Sequence, residues 1–216
     1  MGVRKSITSA LVDPDNPKSL SARARARRWH EFQATFPGLE EMDVLDLGGT
    51  VSYWCHKTTH PKHVTIVNLA RQDADGSPWM STYQRDACTV DDLGGFDLVV
   101  SNSVIEHVGG HIQRQKLADV VHKSAPHHWI QTPYRYFPIE PHWLAPGMQF
   151  LPVSVRAQIT RKWPFGHYQH IESADVVAEV MMVELLGMTE MEHYFPHSII
   201  WRERVAGLTK SLVAIA

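Results

Sequence analysis

Two short segments place histidine beside glutamate, and they hold the residues best suited to proton transfer. The first is Glu106-His107 and the second is Glu140-Pro141-His142. The unperturbed pKa of histidine is about 6.5, so its ring takes up and releases protons near neutral pH. A positioned general base typically accelerates a reaction by a factor of about 10² to 10⁴. We therefore treat both segments as candidate active-site residues.

The 14 histidines of the chain also raise the question of a metal site. His107 and His111 are four residues apart, a spacing that brings two side chains onto one face of a helix. Gly109 and Gly110 lie between them and disfavour a helix at that point. We predict no metal ligands, and a divalent cation is left open for experiment.

The segments around these residues have the pattern of buried parallel strands. Residues 44–50 form an apolar run that contains Asp46 and ends in Gly48 and Gly49, where the backbone turns or approaches another group closely. Such runs are expected where both faces of a parallel sheet are covered, and ligands bind at the carboxyl ends of the strands. Four further strands are predicted. One spans residues 64–69, a short one ends at residues 85–87, one runs from residue 96 to a polar tip at Asn102, and one spans residues 127–132.

Capping residues and apolar periodicity predict the remaining elements. One helix begins at Ser19 or Ser21 and stops before Pro37, a second spans residues 111–124, and a third runs from Ser173 to Gly187. Two final strands are predicted at residues 189–195 and residues 209–216, of which the last is apolar nearly throughout and hence central.

Taken in order, these motifs resemble those of class I S-adenosylmethionine-dependent methyltransferases. The resemblance rests on the Asp-x-Gly-Gly turn, the polar strand end at Asn68, the Asp86-Ala87 pair and residues 96–108, Phe-Asp-Leu-Val-Val-Ser-Asn-Ser-Val-Ile-Glu-His-Val. It implies an α/β fold: a single-domain, Rossmann-like sheet of seven mostly parallel strands, with helices on both faces and the last strand antiparallel.

The resemblance also implies how the methionine and ribose parts of the cofactor are held. Asp46 supports the methionine amine, while Gly48 and Gly49 lie against the cofactor because they have no Cβ. Asn68 stands where the family usually has an acidic residue for the ribose, and its amide can still bind both hydroxyl groups. Tyr53 and Trp54 follow the turn, where an aromatic side chain either forms a wall around the methionine part or the acceptor or packs against a helix.

The adenine end is assigned in the same way. Asp86 matches the carboxylate that binds the exocyclic amine, and the backbone amide of Ala87 matches the group that binds a ring nitrogen. Asn102 is expected to contact the cofactor, or else to close its strand in an Asx-turn. S-adenosylmethionine is the implied cofactor and S-adenosylhomocysteine the implied product.

The acceptor is expected to bind between the Glu106-His107 segment and the aromatic, proline-rich residues 134–143. Methylation of a hydroxyl group requires removal of its proton, and His142 is the first candidate for that base. Glu140 is expected to position His142 or the acceptor, and His107 is the second candidate base. The predicted acceptor-binding residues are Glu106, Tyr134, Arg135 and Trp143.

Residues 134–143 are also similar to the corresponding part of small actinobacterial methyltransferases that methylate the 1-hydroxyl of mannosides in polysaccharide biosynthesis. That similarity implies a short, methylated mannoside as the acceptor. The alternatives are methylation at nitrogen or carbon of another metabolite, a nicotinamide-dependent oxidoreductase on a similar sheet, and a binding module that keeps the pocket without catalysis. The turn after the first strand has only Gly48 and Gly49, and it lacks the third glycine of the dinucleotide-binding motif. This disfavours the oxidoreductase.

Length and composition limit the number of domains, the partners and the cellular location. A chain of 216 residues fits one domain, which we place at residues 19–216 after a flexible arm at residues 1–18, with the acceptor-site loop at about residues 133–170. A net charge of −2 argues against nucleic acid, which a basic excess would bind. No apolar run is long enough to span a membrane, and two cysteines suit the reducing cytoplasm. A homodimer is left open.

Overall fold

The computed structural model describes residues 20–74, 76–90, 92–166 and 175–216. The arm predicted at residues 1–18 and the predicted helix start at Ser173 lie outside these ranges. The described residues fall into two compact units, which divide after Leu39. In the first unit, helix α1 (Leu20–Thr35) ends before Pro37, as predicted, and its Phe32 ring stacks on Trp29 at 5.2 Å.

The second unit contains a seven-stranded sheet in the order β3-β2-β1-β4-β5-β9-β8. Strands β1 to β5 run parallel, β9 runs antiparallel to β5, and β8 runs antiparallel to β9. The predicted sheet is therefore confirmed. The strands are β1 (Asp43–Leu47), β2 (His63–Asn68), β3 (Met80–Gln84), β4 (Leu98–Asn102), β5 (His127–Pro133), β8 (Ile199–Val205) and β9 (Leu208–Ile215), and a separate small hairpin is formed by β6 (Ile139–Glu140) and β7 (Ala145–Pro146).

The strand order reverses between β1 and β4. The chain runs outward from β1 through β2 to β3 and then returns to pair β4 on the other side of β1. The carboxyl ends of β1 and β4 therefore flank a topological switch point, where open α/β sheets bind their ligands. Both strands are almost fully buried because both faces of the parallel sheet are covered.

Helices of the second unit are mostly short. The predicted helix at residues 111–124 is confirmed at both ends, and it buries Leu117, Val120 and Val121. The helices are α2 (Val51–Cys55), α3 (His111–Ser124), α4 (Val153–Thr160), α5 (Val176–Met181) and α6 (Met188–Tyr194), with 3-10 turns at Leu39–Glu41 and Met148–Phe150. None of the helices in the described ranges is long and apolar enough to cross a membrane.

Two predictions about the last third of the chain are wrong. Residues 189–195 form helix α6 instead of a strand, because Gly187 begins a helix there and its N–H donates to Glu190 Oε2 at 2.6 Å, the reciprocal bond of a capping box. The preceding helix does not reach Gly187. It ends at Met181, and the segment after it is extended, so that Leu186 pairs with Tyr134.

The sequence reading also missed strand β8, which forms the edge of the sheet. A two-residue turn, Ala206 and Gly207, connects it to β9 with both φ angles positive, at 50° and 81°. Such turns match the twist of the strands that they join. The strand predicted at residues 209–216 is confirmed as β9, which is inserted between β5 and β8.

A second apolar cluster lies apart from the core of the sheet. Trp143 is fully buried in it, next to residues of the β6–β7 hairpin and of helices α4 and α5. The other members are Ala145, Met148, Ala157, Val176, Val180, Val183 and Leu185. This cluster gives the segment after β5 a packed base of its own, so its polar side chains are held in fixed positions.

Candidate active site

The glycine turn after β1 is closed by its neighbours. Gly48 has a φ of +79°, and its N–H donates to Val67 O at 2.7 Å. A Cβ at Gly48 would overlap the side chain of Val104, and one at Gly49 would overlap the carboxylate of Asp46. Both positions therefore require glycine, as the sequence predicts for a turn that approaches another group closely.

Asp46 projects from β1 beneath this turn. Its Oδ2 accepts a hydrogen bond from Trp54 Nε1 at 2.7 Å, whereas its Oδ1 is buried without a partner in the described residues. Burial raises the pKa of Asp46 to about 7, and the Trp54 hydrogen bond opposes that rise. A cationic group at Oδ1 would complete the pairing of this carboxylate and stabilise its charged form.

Asn68, predicted to hold the ribose, is tied to the same turn. Its Nδ2 donates to Gly48 O at 3.1 Å and to Gly49 O at 2.8 Å, and its Oδ1 accepts from Ala70 N at 2.9 Å. These bonds explain why an amide suits the position: a carboxylate cannot donate to the two carbonyl groups. Ribose binding by Asn68 stays a prediction.

The residues predicted for the adenine end lie after β3 and at the end of β4. Asp86 Oδ1 accepts from Cys88 N at 2.9 Å, which fixes the carboxylate beside the buried Ala87. Asn102 Oδ1 is buried and has no partner in the described residues. The next residue, Ser103, has a φ of +55° and bonds Gln131 of β5 through both its N–H and its hydroxyl group. Backbone in this region is costly and is found preferentially at functional sites.

These features fit S-adenosylmethionine at the switch point. Asp46 Oδ1 and Asn102 Oδ1 are buried oxygens that lack partners in the described residues, at the ends of two adjacent strands. The glycine turn packs closely against the Asp46 carboxylate because neither glycine has a Cβ. Buried polar groups are normally hydrogen-bonded, so atoms of this kind mark a position for a ligand or water.

Glu106 is a buried carboxylate just beyond the end of β4. Thr132 Oγ1 donates to its Oε2 at 3.0 Å, while Oε1 has no hydrogen-bond partner in the described residues. Burial raises the pKa of Glu106 to about 7, against smaller opposing effects of its own backbone N–H and of His142. The predicted role in acceptor binding stays open, and the position suits a hydroxyl or amino group of a ligand.

Glu140, His142 and His107 form a continuous chain of polar contacts. Glu140 Oε1 lies 2.7 Å from His142 Nδ1, and Glu140 Oε2 accepts from Trp143 N at 2.8 Å. An ionised carboxylate only accepts, so His142 carries a proton on Nδ1 and has its lone pair on Nε2. That Nε2 lies 3.0 Å from His107 Nε2. Burial lowers the pKa of His107 to about 4, and the neighbouring His142 adds to this effect.

The loop of the β6–β7 hairpin holds His142 in its position between Glu140 and His107. Leu144 has a φ of +54°, and Gly147, with a φ of +65°, donates from its N–H to Pro138 O at 2.9 Å. On the other side of the loop, Trp163 Nε1 donates to Trp143 O at 2.6 Å. Gly166 lies against the backbone of His142 and Trp143, where a Cβ would overlap both. Residues 167–170, the end of the predicted acceptor loop, lie outside the described ranges.

Three predicted acceptor-binding residues turn out to have mainly structural contacts. Trp143 is fully buried in the second cluster, so we assign it to packing instead of acceptor binding. Arg135 donates to Leu185 O at 2.7 Å and to Glu190 Oε1 at 2.8 Å, which ties the loop to helix α6. Tyr134 is half-buried, and its N–H donates to Lys210 O at 2.9 Å. Acceptor binding by Arg135 and Tyr134 stays a prediction.

One group of side chains has the composition of a cation site. Glu106, His107 and His142 each offer a ligand atom, and these atoms lie within 4.8 Å of one another. Two histidines and a carboxylate are ligands that divalent transition metals accept. The pairing considered in the sequence, His107 with His111, is replaced by His107 with His142, because His111 Nδ1 bonds Tyr194 Oη at 3.0 Å.

Comparison with known proteins gives a result at the level of fold. No family model matches the chain, and no curated protein matches it in sequence. Solved structures of methyltransferases match over most of its length, and several of them contain S-adenosylhomocysteine. The chain has the fold of these methyltransferases.

Three of these structures illustrate the match. The 1,6-didemethyltoxoflavin-N1-methyltransferase of Burkholderia thailandensis, solved with that compound and S-adenosylhomocysteine, is 14% identical, with a TM-score of 0.54 over 99% of this chain and 86% of its own. A methyltransferase of Mesorhizobium loti is 15% identical, with a TM-score of 0.54 over 87% and 96%. The N-methyltransferase NodS of Bradyrhizobium japonicum WM9 is 16% identical, with a TM-score of 0.50 over 94% and 97%.

Sequence reasoning found most of the polar residues at this site but not how they bond. It named His107 and His142 separately, without the contact between their rings across 35 positions. It considered only the aromatic surface of Trp54 and missed its N–H bond to Asp46. It did not single out Thr132, the partner of Glu106. A polar residue at the end of an otherwise apolar strand was the available signal for Thr132.

Proposed function

We propose that this protein is an S-adenosylmethionine-dependent methyltransferase that methylates a hydroxyl group of a small molecule. The cofactor assignment is supported by the fold and by the buried oxygens of Asp46 and Asn102 at the switch point, which have no partner among the described residues. The hydroxyl assignment is supported by one observation above all, the chain of contacts from Glu140 through His142 to His107. A hydroxyl group must lose its proton to react, and this chain is built to receive one.

His142 is the residue that we assign as the general base. Its Nδ1 is fixed by Glu140, which orients the ring and stabilises the imidazolium that forms when Nε2 takes a proton. His107 lies at that same Nε2 and can share the proton. The buried Glu106 lies beside the pair and can accept a hydrogen bond from a second group of the acceptor.

S-adenosylmethionine supplies, when bound, a methyl group on a positively charged sulfur. With that cofactor bound, the acceptor oxygen would take the methyl group, and the electron pair of the broken carbon–sulfur bond would stay on sulfur. The hydroxyl proton goes to His142. The protein contributes alignment and exclusion of water.

The acceptor that we propose to test first is the 1-hydroxyl of a short methylated mannoside. The support is the similarity of residues 134–143 to small actinobacterial methyltransferases that act on sugars. The anomeric hydroxyl is the most acidic on a sugar, and a histidine base activates it most easily. The buried Glu106, whose Oε1 has no partner in the described residues, can also accept a hydrogen bond from a sugar hydroxyl.

The cofactor is tested by calorimetry with S-adenosylmethionine, S-adenosylhomocysteine and NAD, each titrated separately. We expect micromolar binding of the two sulfur compounds and no heat with NAD. Heat with NAD alone would replace the methyltransferase proposal by an oxidoreductase, and silence with all three would refute the cofactor assignment.

The acceptor class is tested with methyl-labelled S-adenosylmethionine and a panel of mannosides, other sugars and amines. His142→Ala should bind S-adenosylhomocysteine normally and lower turnover by a factor of about 10² to 10⁴. His197→Ala, a change at an exposed histidine, serves as the control. An amine as the preferred acceptor, with turnover unaffected by His142→Ala, would contradict hydroxyl methylation. Repeating the assay in chelator shows whether a divalent cation takes part.

A further inference from the structure

Only one of the two carboxylate oxygens of Asp46 has a hydrogen-bond partner among the described residues. Its side chain is 1% exposed, and Trp54 Nε1 bonds Oδ2 at 2.7 Å. Oδ1 has no partner in the described residues. A buried ionised carboxylate is costly unless it is paired. A bound molecule or solvent can supply a partner that the described residues do not.

Among the described residues, Trp54 is the one whose side chain bonds the Asp46 carboxylate and so sets its orientation. A Cβ at Gly49 would overlap the carboxylate, so the turn packs against it without supplying a side chain. Trp54 belongs to α2, the short helix that begins directly after Thr50, and its indole is fully buried. Because the Trp54 ring cannot move without leaving the core, its N–H holds Oδ2 in one place. The free Oδ1 then points in one direction.

We propose that Trp54 is a positioning residue for recognition of the amino-acid end of the cofactor. By fixing Oδ2, it aims Oδ1 of Asp46 at the α-ammonium group of the methionine or homocysteine part. This inference rests on the proposed function. It adds that the amino-acid end, as distinct from the nucleoside end, depends on an indole N–H that never touches the ligand.

The electrostatics of the site agree with this role. Burial raises the pKa of Asp46 to about 7, and the Trp54 hydrogen bond is the effect that opposes it. Loss of the N–H therefore favours the neutral carboxyl group, which attracts an ammonium group weakly. The substitution should lower affinity for ligands that carry the ammonium group and leave other ligands unaffected.

The test compares two ligands on one variant. S-adenosylhomocysteine carries the amino-acid end, whereas 5′-methylthioadenosine keeps the adenosine and the thioether and lacks that end. Trp54→Phe retains an aromatic ring but has no N–H. We expect its affinity for S-adenosylhomocysteine to fall about tenfold to a hundredfold, as for loss of a hydrogen bond to a charged group, with 5′-methylthioadenosine changed less than about twofold. Trp201→Phe, on the edge strand β8, is the control.

A second readout separates positioning from packing. In Trp54→Phe, the pH at which affinity for S-adenosylhomocysteine begins to fall should move upward relative to wild type, because the carboxyl group takes up its proton at higher pH. A packing defect would weaken both ligands alike at every pH. Equal losses for the two ligands, or no loss for S-adenosylhomocysteine, would overturn the inference.

Failure of the proposed function and misfolding of the variant can both be told apart from failure of the inference. If wild type binds neither ligand, the proposed function itself fails. If Trp54→Phe does not fold, Asp46→Asn carries the test, because it removes the charge that Trp54 orients. It should show the same loss confined to S-adenosylhomocysteine, and an unchanged affinity for that ligand would refute the inference.

Discussion

At the scale of single residues, the site is built from buried groups whose pairing is incomplete. Asp46 and Glu106 are carboxylates with pKa values raised to about 7 by burial, and each has one oxygen without a partner in the described residues. His107 and His142 bring their Nε2 atoms to 3.0 Å of each other. Incomplete pairing destabilises the fold and provides positions for ligands, which is how strain and function coincide at active sites.

The contact between the two histidines leads to a prediction about their coupling. If His107 and His142 receive one proton together, His107→Gln and His142→Gln should each lower turnover, and the double variant should lose little more than His142→Gln alone. Groups that act as a unit show such non-additive effects. Turnover of the three variants at saturating cofactor measures it, with His197→Gln as the control. Fully additive losses would show that the two residues act separately.

Glu106 should make the stability of the protein depend on pH. Its pKa is raised from 4.5 to about 7, so the folded state holds the proton more tightly than the unfolded chain. Its neutral form therefore stabilises the fold below about pH 4.5, and this contribution is lost as pH rises through about 7. At about 1.4 kcal/mol per pKa unit, the difference is about 3 kcal/mol.

Glu106→Gln tests this because the amide is neutral at every pH and can still accept from Thr132. Urea unfolding at pH 5 and pH 8 should show the variant close to wild type at pH 5 and clearly more stable at pH 8. The buried histidines are common to both proteins, and Glu192→Gln, at an exposed position, controls for loss of surface charge. A variant less stable than wild type at pH 8 would contradict the prediction.

At the scale of elements, the sequence predicted the helices and strands whose apolar pattern is visible within the element itself. Strand β4 and helix α3 were predicted well because an unbroken apolar run and a regular apolar face are visible within about 14 residues. Helix α6 was mistaken for a strand because it is only seven residues long, too short for its period to show. Strand β8 was missed because only one of its seven residues, Glu203, is buried at this sheet edge, so the sequence shows no alternation of apolar and polar residues there.

The same distinction applies to the site. The pairing of Glu140 with His142 spans two residues and was predicted from the sequence, whereas contacts over long separations, such as Asn68 with the glycine turn, depend on the completed sheet. The burial of Trp143 could not be predicted either, because the residues that cover it come from helices α4 and α5. An aromatic residue in a loop gives no local sign of such a cluster.

Gly166 should be required for placement of His142. It has a φ of +88° and lies where a Cβ would overlap the backbone of His142 and Trp143. Gly166→Ala is therefore expected to displace His142 and lower turnover at least tenfold, with binding of S-adenosylhomocysteine unchanged. A displacement of about 1 Å at a catalytic group is enough for such losses.

Gly94→Ala is a matched control for this change. Gly94 has a similar φ of +96°, and no atom lies within 4 Å of the position of an added Cβ. Both substitutions impose the same backbone strain, and only the one at Gly166 adds the overlap. Equal effects of the two on turnover would show that the segment at Gly166 does not position the catalytic loop.

At the scale of the whole molecule, the proposed role of Asp46 links folding to cofactor binding. The sheet requires a buried strand at the switch point, and the strand carries a carboxylate that burial destabilises in its charged form. A ligand with an ammonium group pairs with that charge and binds only the folded state. Binding therefore stabilises the fold, by an amount that depends on ligand concentration relative to Kd.

This linkage predicts that stabilisation by S-adenosylhomocysteine decreases in acid. The ammonium group pairs with ionised Asp46, whose pKa is about 7, so the fraction of competent protein falls about tenfold for each pH unit well below that value. The Kd should weaken by about 50-fold between pH 7 and pH 5. 5′-Methylthioadenosine, without the ammonium group, should show no such loss, and the increase in Tm at a fixed ligand concentration measures both. A parallel decrease for the two ligands would place the titrating group elsewhere in the site and remove Asp46 from recognition of the amino-acid end.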